Sequence, residues 1–165
     1  MRLSRSSAAS AVAATLLLGA CTSTPETPDI EAAPSSHAPS GLDAEARDAW
    51  EKWQAQGLDD YTYRLTIGCL CPSANARVRV VGGQVVQVGH KSSAPQRVLI
   101  GFGDLDPTID NVFVVLARAQ QQAHDVRARF DETTGMPTRI FVDNIRSVID
   151  DEVSYGIDSF TVVIP

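Results

Sequence analysis

Apolar side chains recur at helical spacing in two segments of the chain. The first segment predicts a helix over residues 43–56, for which Asp43 is a suitable N-cap. The second predicts a helix over residues 107–123, with Asp106 before a proline at the first helical position, or Thr108, as the cap. The apolar stripes of the two helices are Leu42, Ala46, Ala49, Trp50 and Trp53, and Ile109, Val112, Phe113 and Leu116. We expect these stripes to face a hydrophobic core.

Elsewhere apolar and polar residues alternate with a period of two, which is typical of half-buried strands. The predicted strands are 61–67, 76–80, 85–88, 126–130, 139–143 and 157–164, and residues 98–100 are a further short candidate. Gly82-Gly83 and the Thr133–Pro137 segment predict hairpin turns, which imply antiparallel pairing. The pattern therefore predicts an α+β domain in the order α-β-β-β-α-β-β-β, with an antiparallel sheet of five or six strands and both helices on one face.

The amino-terminal region follows a different pattern. Arg2 and Arg5 precede an apolar run of about 11 residues, which has the length of a signal sequence rather than of a membrane span. The run ends in Leu18-Gly19-Ala20-Cys21, which resembles the lipobox of a bacterial lipoprotein. The resemblance implies cleavage after residue 20, diacylglycerol on Cys21 and a membrane anchor. A plain secretory signal with an incidental Cys21 is the alternative.

We expect three regions: a cleaved signal at 1–20, a lipidated tether at 21–41 and one domain at 42–165. The tether is rich in Pro, Ser and Thr and has too few large apolar side chains to fold. Loss of the two signal arginines leaves 12 basic residues against 20 acidic ones, a net charge of −8. That charge argues against nucleic acid and anionic lipid surfaces as non-specific partners. We expect a cell-envelope protein, on the periplasmic side of the outer membrane if the host has two membranes and otherwise on the outer face of the cell membrane.

The domain also carries a set of short motifs in a fixed order. They are Trp53, Tyr61-Thr62-Tyr63, Cys69-Leu70-Cys71, Gly82-Gly83, Phe130-Asp131, Gly135-Met136-Pro137-Thr138-Arg139-Ile140, Asp143, and Asp150-Asp151-Glu152 with Tyr155. Together they resemble an uncharacterised family of bacterial envelope lipoproteins known as domain of unknown function 6174. The resemblance implies an exported, anchored, single-domain protein, and it implies no activity.

Cys69 and Cys71 are the first candidate for chemistry. If both lie on one strand, they point to its core face, two residues apart. A structural disulfide would then require the backbone to bend, because the Cα atoms of an extended strand lie at the upper limit for a bridge. A redox-active pair is the second interpretation. A soft-metal site that recruits His90, His124 or Met136 is the third.

Arginines are the second candidate. Six of them alternate with predicted core residues and should project from the open face of the sheet: Arg64, Arg77, Arg79, Arg127, Arg129 and Arg139. They form either an anion-binding or partner-binding face or a solvated face that is paired with acidic residues across strands.

Neither acidic cluster matches a calcium loop, and no nucleophile motif, phosphate loop or zinc motif is present. The clusters are Asp104, Asp106 and Asp110, and Asp150-Asp151-Glu152. We therefore expect no catalytic residue, cofactor or metal site. The favoured function is a lipid-anchored binding module for an envelope protein or a small anionic ligand. A thiol redox or soft-metal protein that uses Cys69 and Cys71 is the alternative.

Overall fold

The computed structural model describes residues 37–90 and 101–163. Within them, helix α1 spans Ala44–Gln54 and helix α2 spans Ile109–Gln122. The Asp43 side chain caps α1 by accepting a hydrogen bond from the backbone N–H of Ala46 at 2.8 Å. The N-cap of α2 is Thr108, whose hydroxyl accepts from the backbone N–H of Asn111 at 3.1 Å. Of the two predicted caps for α2, Thr108 is therefore correct and Asp106 is wrong.

Six antiparallel strands among the described residues form one sheet in the order β3-β2-β1-β6-β5-β4. Their bounds are β1 Tyr61–Cys69, β2 Cys71–Val81, β3 Gln84–His90, β4 Asp125–Phe130, β5 Pro137–Asp143 and β6 Val153–Val162. The predicted α+β class and element order are confirmed. The predicted strand at 98–100 and the end of the last one at residue 164 lie outside the described residues.

The core lies between the two helices and one face of the sheet. Tyr61, Tyr63, Leu65 and Ile67 alternate along β1 as fully buried side chains, as their period of two predicts. Trp50 and Trp53 bring the apolar stripe of α1 into the same cluster, and both are at most 5% exposed. Burial of such large apolar side chains is the main stabilising contribution to a domain of this size.

Two tyrosines of β1 position the amino terminus of α2. The Tyr61 hydroxyl accepts a hydrogen bond from the backbone N–H of Ile109 at 3.1 Å, and the Tyr63 hydroxyl donates to the carbonyl of Pro107. These bonds satisfy backbone groups that a helix end would otherwise leave unpaired in the core. Desolvation raises the pKa of both hydroxyl groups, so they remain protonated at neutral pH.

One prediction about the hairpin was wrong. Cys69 and Cys71 do not share a strand: β1 ends at Cys69, β2 begins at Cys71, and the two are register partners on either side of Leu70. The register also shifts between Ile67 and Cys69, so the strict alternation of β1 stops before the cysteine. Gly68 and Pro72 flank the cysteine pair, and both residue types weaken or interrupt a regular strand. The backbone can therefore turn at Leu70, which the alternation of β1 did not predict.

Candidate functional site

All six predicted arginines alternate with buried or half-buried residues and lie on the face of the sheet opposite the helices. Arg64, Arg77 and Arg79 belong to β1 and β2, and Arg127, Arg129 and Arg139 belong to β4 and β5. Strand β6 separates the two groups. The arginine face is therefore two clusters rather than one continuous surface.

Two of these arginines already have acidic partners. Arg64 contacts Asp158 on the neighbouring strand at 3.4 Å, and Arg127 contacts Asp125 at 3.0 Å. The guanidinium of Arg127 also lies 4.7 Å from the centroid of the Phe141 ring, which is its register partner on β5. Such half-exposed ion pairs contribute little stability, but they neutralise the charges that they involve.

Arg129 and Arg139 are arranged differently. They are direct register partners on β4 and β5, and neither makes an ion pair with any residue of 37–90 or 101–163. Like charges placed directly opposite each other on neighbouring strands are destabilising. An anion shared by the two guanidinium groups would remove this repulsion.

A cavity of about 660 Å³ lies in front of this pair, and we call it the arginine cavity. Its lining includes Arg127, Arg129, Arg139, Phe141, Ser154 and Gly156. Its volume is within the range that binds small molecules, of roughly 300–1,000 Å³. Its lining combines three guanidinium groups, the Phe141 and Tyr155 rings and several hydroxyl groups with one carboxylate, Asp158, which is paired with Arg64. The excess of positive charge suits an anion with an attached organic part.

Gly156 forms the floor of the arginine cavity. It lies on β6 between Thr66 of β1 and Arg139 of β5, its register partners on either side. A Cβ atom at Gly156 would meet nothing closer than the Thr66 Cβ at 3.8 Å, so the backbone there is not crowded. Any larger side chain would rise into the cavity, because residues 154, 156 and 158 point to the open face.

We did not predict from the sequence that β6 lines the arginine cavity. The strand was predicted to begin at residue 157, but it begins at Val153, and Ser154 and Gly156 line the cavity. The signal was present: Ser154, Gly156 and Asp158 alternate with the buried Tyr155 and Ile157. A glycine inside a strand often marks a place where a ligand or another chain approaches the backbone.

A second cavity, of about 370 Å³, adjoins the arginine cavity at the end of the sheet where β1 ends. It is lined by Cys69, Leu70, Asp150 and Glu152, and it shares Gly68, Phe141 and Ser154 with the arginine cavity. The Leu70 side chain at the tip of the hairpin is 77% exposed. The two cavities therefore form one groove with basic residues at one end and acidic residues at the other.

One of the predicted soft-metal ligands, Met136, lies away from the cysteines. Met136 is buried beside the turn between β4 and β5, at the opposite end of the sheet from Cys69. No group of three or more His, Cys, Asp or Glu side chains among the described residues is placed to hold a metal ion.

One residue of the acidic cluster around α2, Asp110, has a structural role. Asp110 accepts hydrogen bonds from the Trp53 indole at 3.1 Å and from the Gln54 amide at 2.6 Å, and these bonds join α1 to α2. Desolvation raises the pKa of this carboxyl group. Asp106 contributes its backbone carbonyl, which accepts from the Asn111 side chain at 2.8 Å.

The fold and the groove define this protein as an α+β domain with a ligand-sized cavity on the open face of its sheet. A family model of unknown function, DUF6174, matches residues 45–162. Since the match covers well over half of the chain, this chain belongs to that family. No curated protein matches it.

The predicted lipidation site, Cys21, and the predicted signal at 1–20 lie outside the described residues. Within 37–90 and 101–163, neither helix has the length and apolar character required to cross a membrane.

Proposed function

We propose that this chain is a lipid-anchored cell-envelope protein whose domain binds an anionic ligand in the arginine cavity. The observation that carries the proposal is the pair Arg129 and Arg139, which face each other in register without carboxylate partners among the described residues. The adjacent Arg127 is held by Asp125 and Phe141, so its guanidinium adds hydrogen-bond donors to the cavity while its charge is balanced by Asp125. The amino-terminal motif ending in Cys21 supports the anchor.

The first test uses inorganic phosphate as the probe. The full chain, in detergent micelles and a low-salt buffer, is titrated with millimolar phosphate while its thermal midpoint is recorded. A ligand that binds only the folded state adds about 2.7 kcal/mol at a hundred times its Kd, and a domain of this size should then melt several degrees higher. We expect Arg139→Gln and Gly156→Val to abolish the shift, the first by removing charge and the second by filling the cavity.

Two matched variants serve as controls. Arg77→Gln removes an open-face arginine outside the cavity, and Gly89→Val adds the same side chain to a strand glycine whose Cβ would meet only the Arg77 carbonyl, at 3.8 Å. Both should keep the wild-type shift. Phosphate also stabilises proteins without binding to a site. An equal shift in all four variants would therefore contradict the proposal.

The cysteine pair supports a second, structural part of the proposal. Register partners on antiparallel strands have Cα atoms about 4.5–5.5 Å apart, which is within the range that a disulfide requires. A bridge between Cys69 and Cys71 would close the hairpin tip in an oxidising envelope. The exposure of Leu70 between them keeps open the redox alternative, because a bridge that reductants can reach exchanges more readily.

A further inference from the structure

The groove carries opposite charges at its two ends, and this polarity narrows the class of ligand. Arg129 and Arg139 lie at one end, and Asp150 and Glu152 line the other. The wall between them consists of Phe141, Ser154 and the glycines 68 and 156. A purely anionic ligand would use the first end and be repelled at the second. A molecule with one anionic and one cationic end would match both.

Two of the three consecutive acidic residues at this end line the groove. Asp150 and Glu152 are lining residues, whereas Asp151 between them is not. Both carboxylate oxygens of Asp151 are enclosed without a hydrogen-bond partner among the described residues, so this side chain offers no contact to a ligand in the groove. The carboxylates of Asp150 and Glu152 favour a cation, and an ammonium group supplies both the positive charge and the hydrogen-bond donors.

The distance between the ends follows from the register of β6. Arg139 is the register partner of Gly156, and Glu152 lies directly before the start of β6, four residues before Gly156. Four residues of antiparallel strand span about 13 Å. An extended peptide of about four residues has the same distance between its amino and carboxyl ends.

We infer that the groove binds a short extended peptide of about four residues, with the free carboxylate at Arg129 and Arg139 and the free ammonium at Asp150 and Glu152. This inference rests on the proposed function, because it assigns the arginine cavity as the carboxylate subsite. The Ser154 hydroxyl on the floor donates to the Gly68 carbonyl at 3.4 Å and can accept a hydrogen bond from a peptide N–H, and the Phe141 ring is an apolar surface for a side chain. Because residues 68 and 156 are glycines and have no side chain, the main chain of a peptide can lie close to the sheet there.

Tetraalanine is the probe that tests this inference, measured by calorimetry with the full chain in detergent micelles. We expect acetylation of its amino end or amidation of its carboxyl end to weaken binding about tenfold each, the effect of losing one charge pair. Dialanine, which is too short to reach both ends, should also bind at least tenfold more weakly.

Variants assign each peptide end to its subsite. Arg139→Gln should weaken the binding of tetraalanine but not that of the amidated peptide, and Glu152→Gln should weaken tetraalanine but not the acetylated peptide. Arg77→Gln and Glu132→Gln, which change open-face and turn charges outside the groove, should have no effect. If blocked and unblocked peptides bind equally, the peptide inference is overturned. If phosphate binds and tetraalanine does not, the peptide inference is overturned and the anion site stands. If neither phosphate nor tetraalanine binds, the proposed function fails as well.

Discussion

Two aspartates in this domain have pKa values that shift in opposite directions. Asp131 accepts from the backbone N–H and hydroxyl of Thr134 and from the backbone N–H of Thr133, and these bonds lower its pKa from 3.8. Asp110 lies between the helices, where desolvation outweighs its two hydrogen bonds and raises its pKa from the same reference. Sequence reasoning did not distinguish these two carboxylates, because the bonds and the burial arise only when the turn and the helices are in place.

The shifts predict opposite effects of pH on stability. Because the pKa of Asp131 is lowered, its carboxylate contributes to the stability of the fold above about pH 4, and this contribution is lost as pH falls through the lowered pKa. Asp131→Asn should therefore reduce the free energy of unfolding at pH 7 by less than about 1 kcal/mol, because the asparagine Oδ1 can still accept these bonds and only the charge of a largely exposed group is lost. The difference should shrink toward pH 3. Urea unfolding from pH 3 to pH 7 measures this difference.

For Asp110→Asn we expect the opposite pH dependence of the free energy of unfolding. Because the folded state raises the pKa of Asp110, the protonated carboxyl group contributes to the stability of the fold below about pH 4. This contribution is lost as pH rises through the raised pKa. The stability of the wild type relative to Asp110→Asn should thus fall as pH increases over the same range. Parallel pH profiles for the two variants would show that the assigned environments are incorrect.

At the level of elements, α2 is held by groups from a strand as well as by its own cap. Its stripe and the Thr108 cap are visible in the sequence, because helical spacing and capping chemistry are local. The hydrogen bond from Ile109 to the Tyr61 hydroxyl is not, because the two residues are 48 positions apart. The same limit applies to the hairpin at Leu70, where a register shift displaced the cysteines from the alternation that the sequence implied.

Tyr61→Phe tests the contribution of that strand to the helix. The substitution keeps the buried ring but leaves the backbone N–H of Ile109 without its acceptor, so the free energy of unfolding should fall by about 1–3 kcal/mol. Chemical denaturation followed by tryptophan fluorescence measures the change. Tyr155→Phe is the control, since Tyr155 is a comparably buried ring on the neighbouring strand that takes no part in capping α2, and it should change stability by less than about 0.5 kcal/mol. Equal losses in the two variants would contradict the capping role.

At the scale of the whole molecule, the sheet divides the domain into a packed face and a chemically varied face. The helices cover the first, and the second carries the groove, which includes the arginine cluster of β4 and β5. The proposed anchor at Cys21 would attach the domain that carries this groove to a membrane.

The intact mass of the full chain, extracted from envelope membranes, tests the anchor and the cysteine pair together. We expect a chain that begins at Cys21 and carries two or three acyl chains, with a mass two hydrogens short and no thiol alkylation at Cys69 or Cys71. Cys21→Ser should leave the signal uncleaved and unacylated while keeping the two-hydrogen deficit. An unacylated wild type would contradict the anchor. Two alkylated thiols or bound copper would favour the redox or soft-metal alternative.

The sequence by itself determined the α+β class, the order of the elements and which face of each strand is buried. These properties depend on residues close together in the chain, such as the alternation from Tyr61 to Ile67. The tertiary structure decided which open-face residues meet. Strand β6 inserts between β1 and β5, which places Gly156 beside Arg139 and separates Arg64 from Arg129. Spacing along a strand shows which face a residue occupies, whereas strand order and register decide its neighbours.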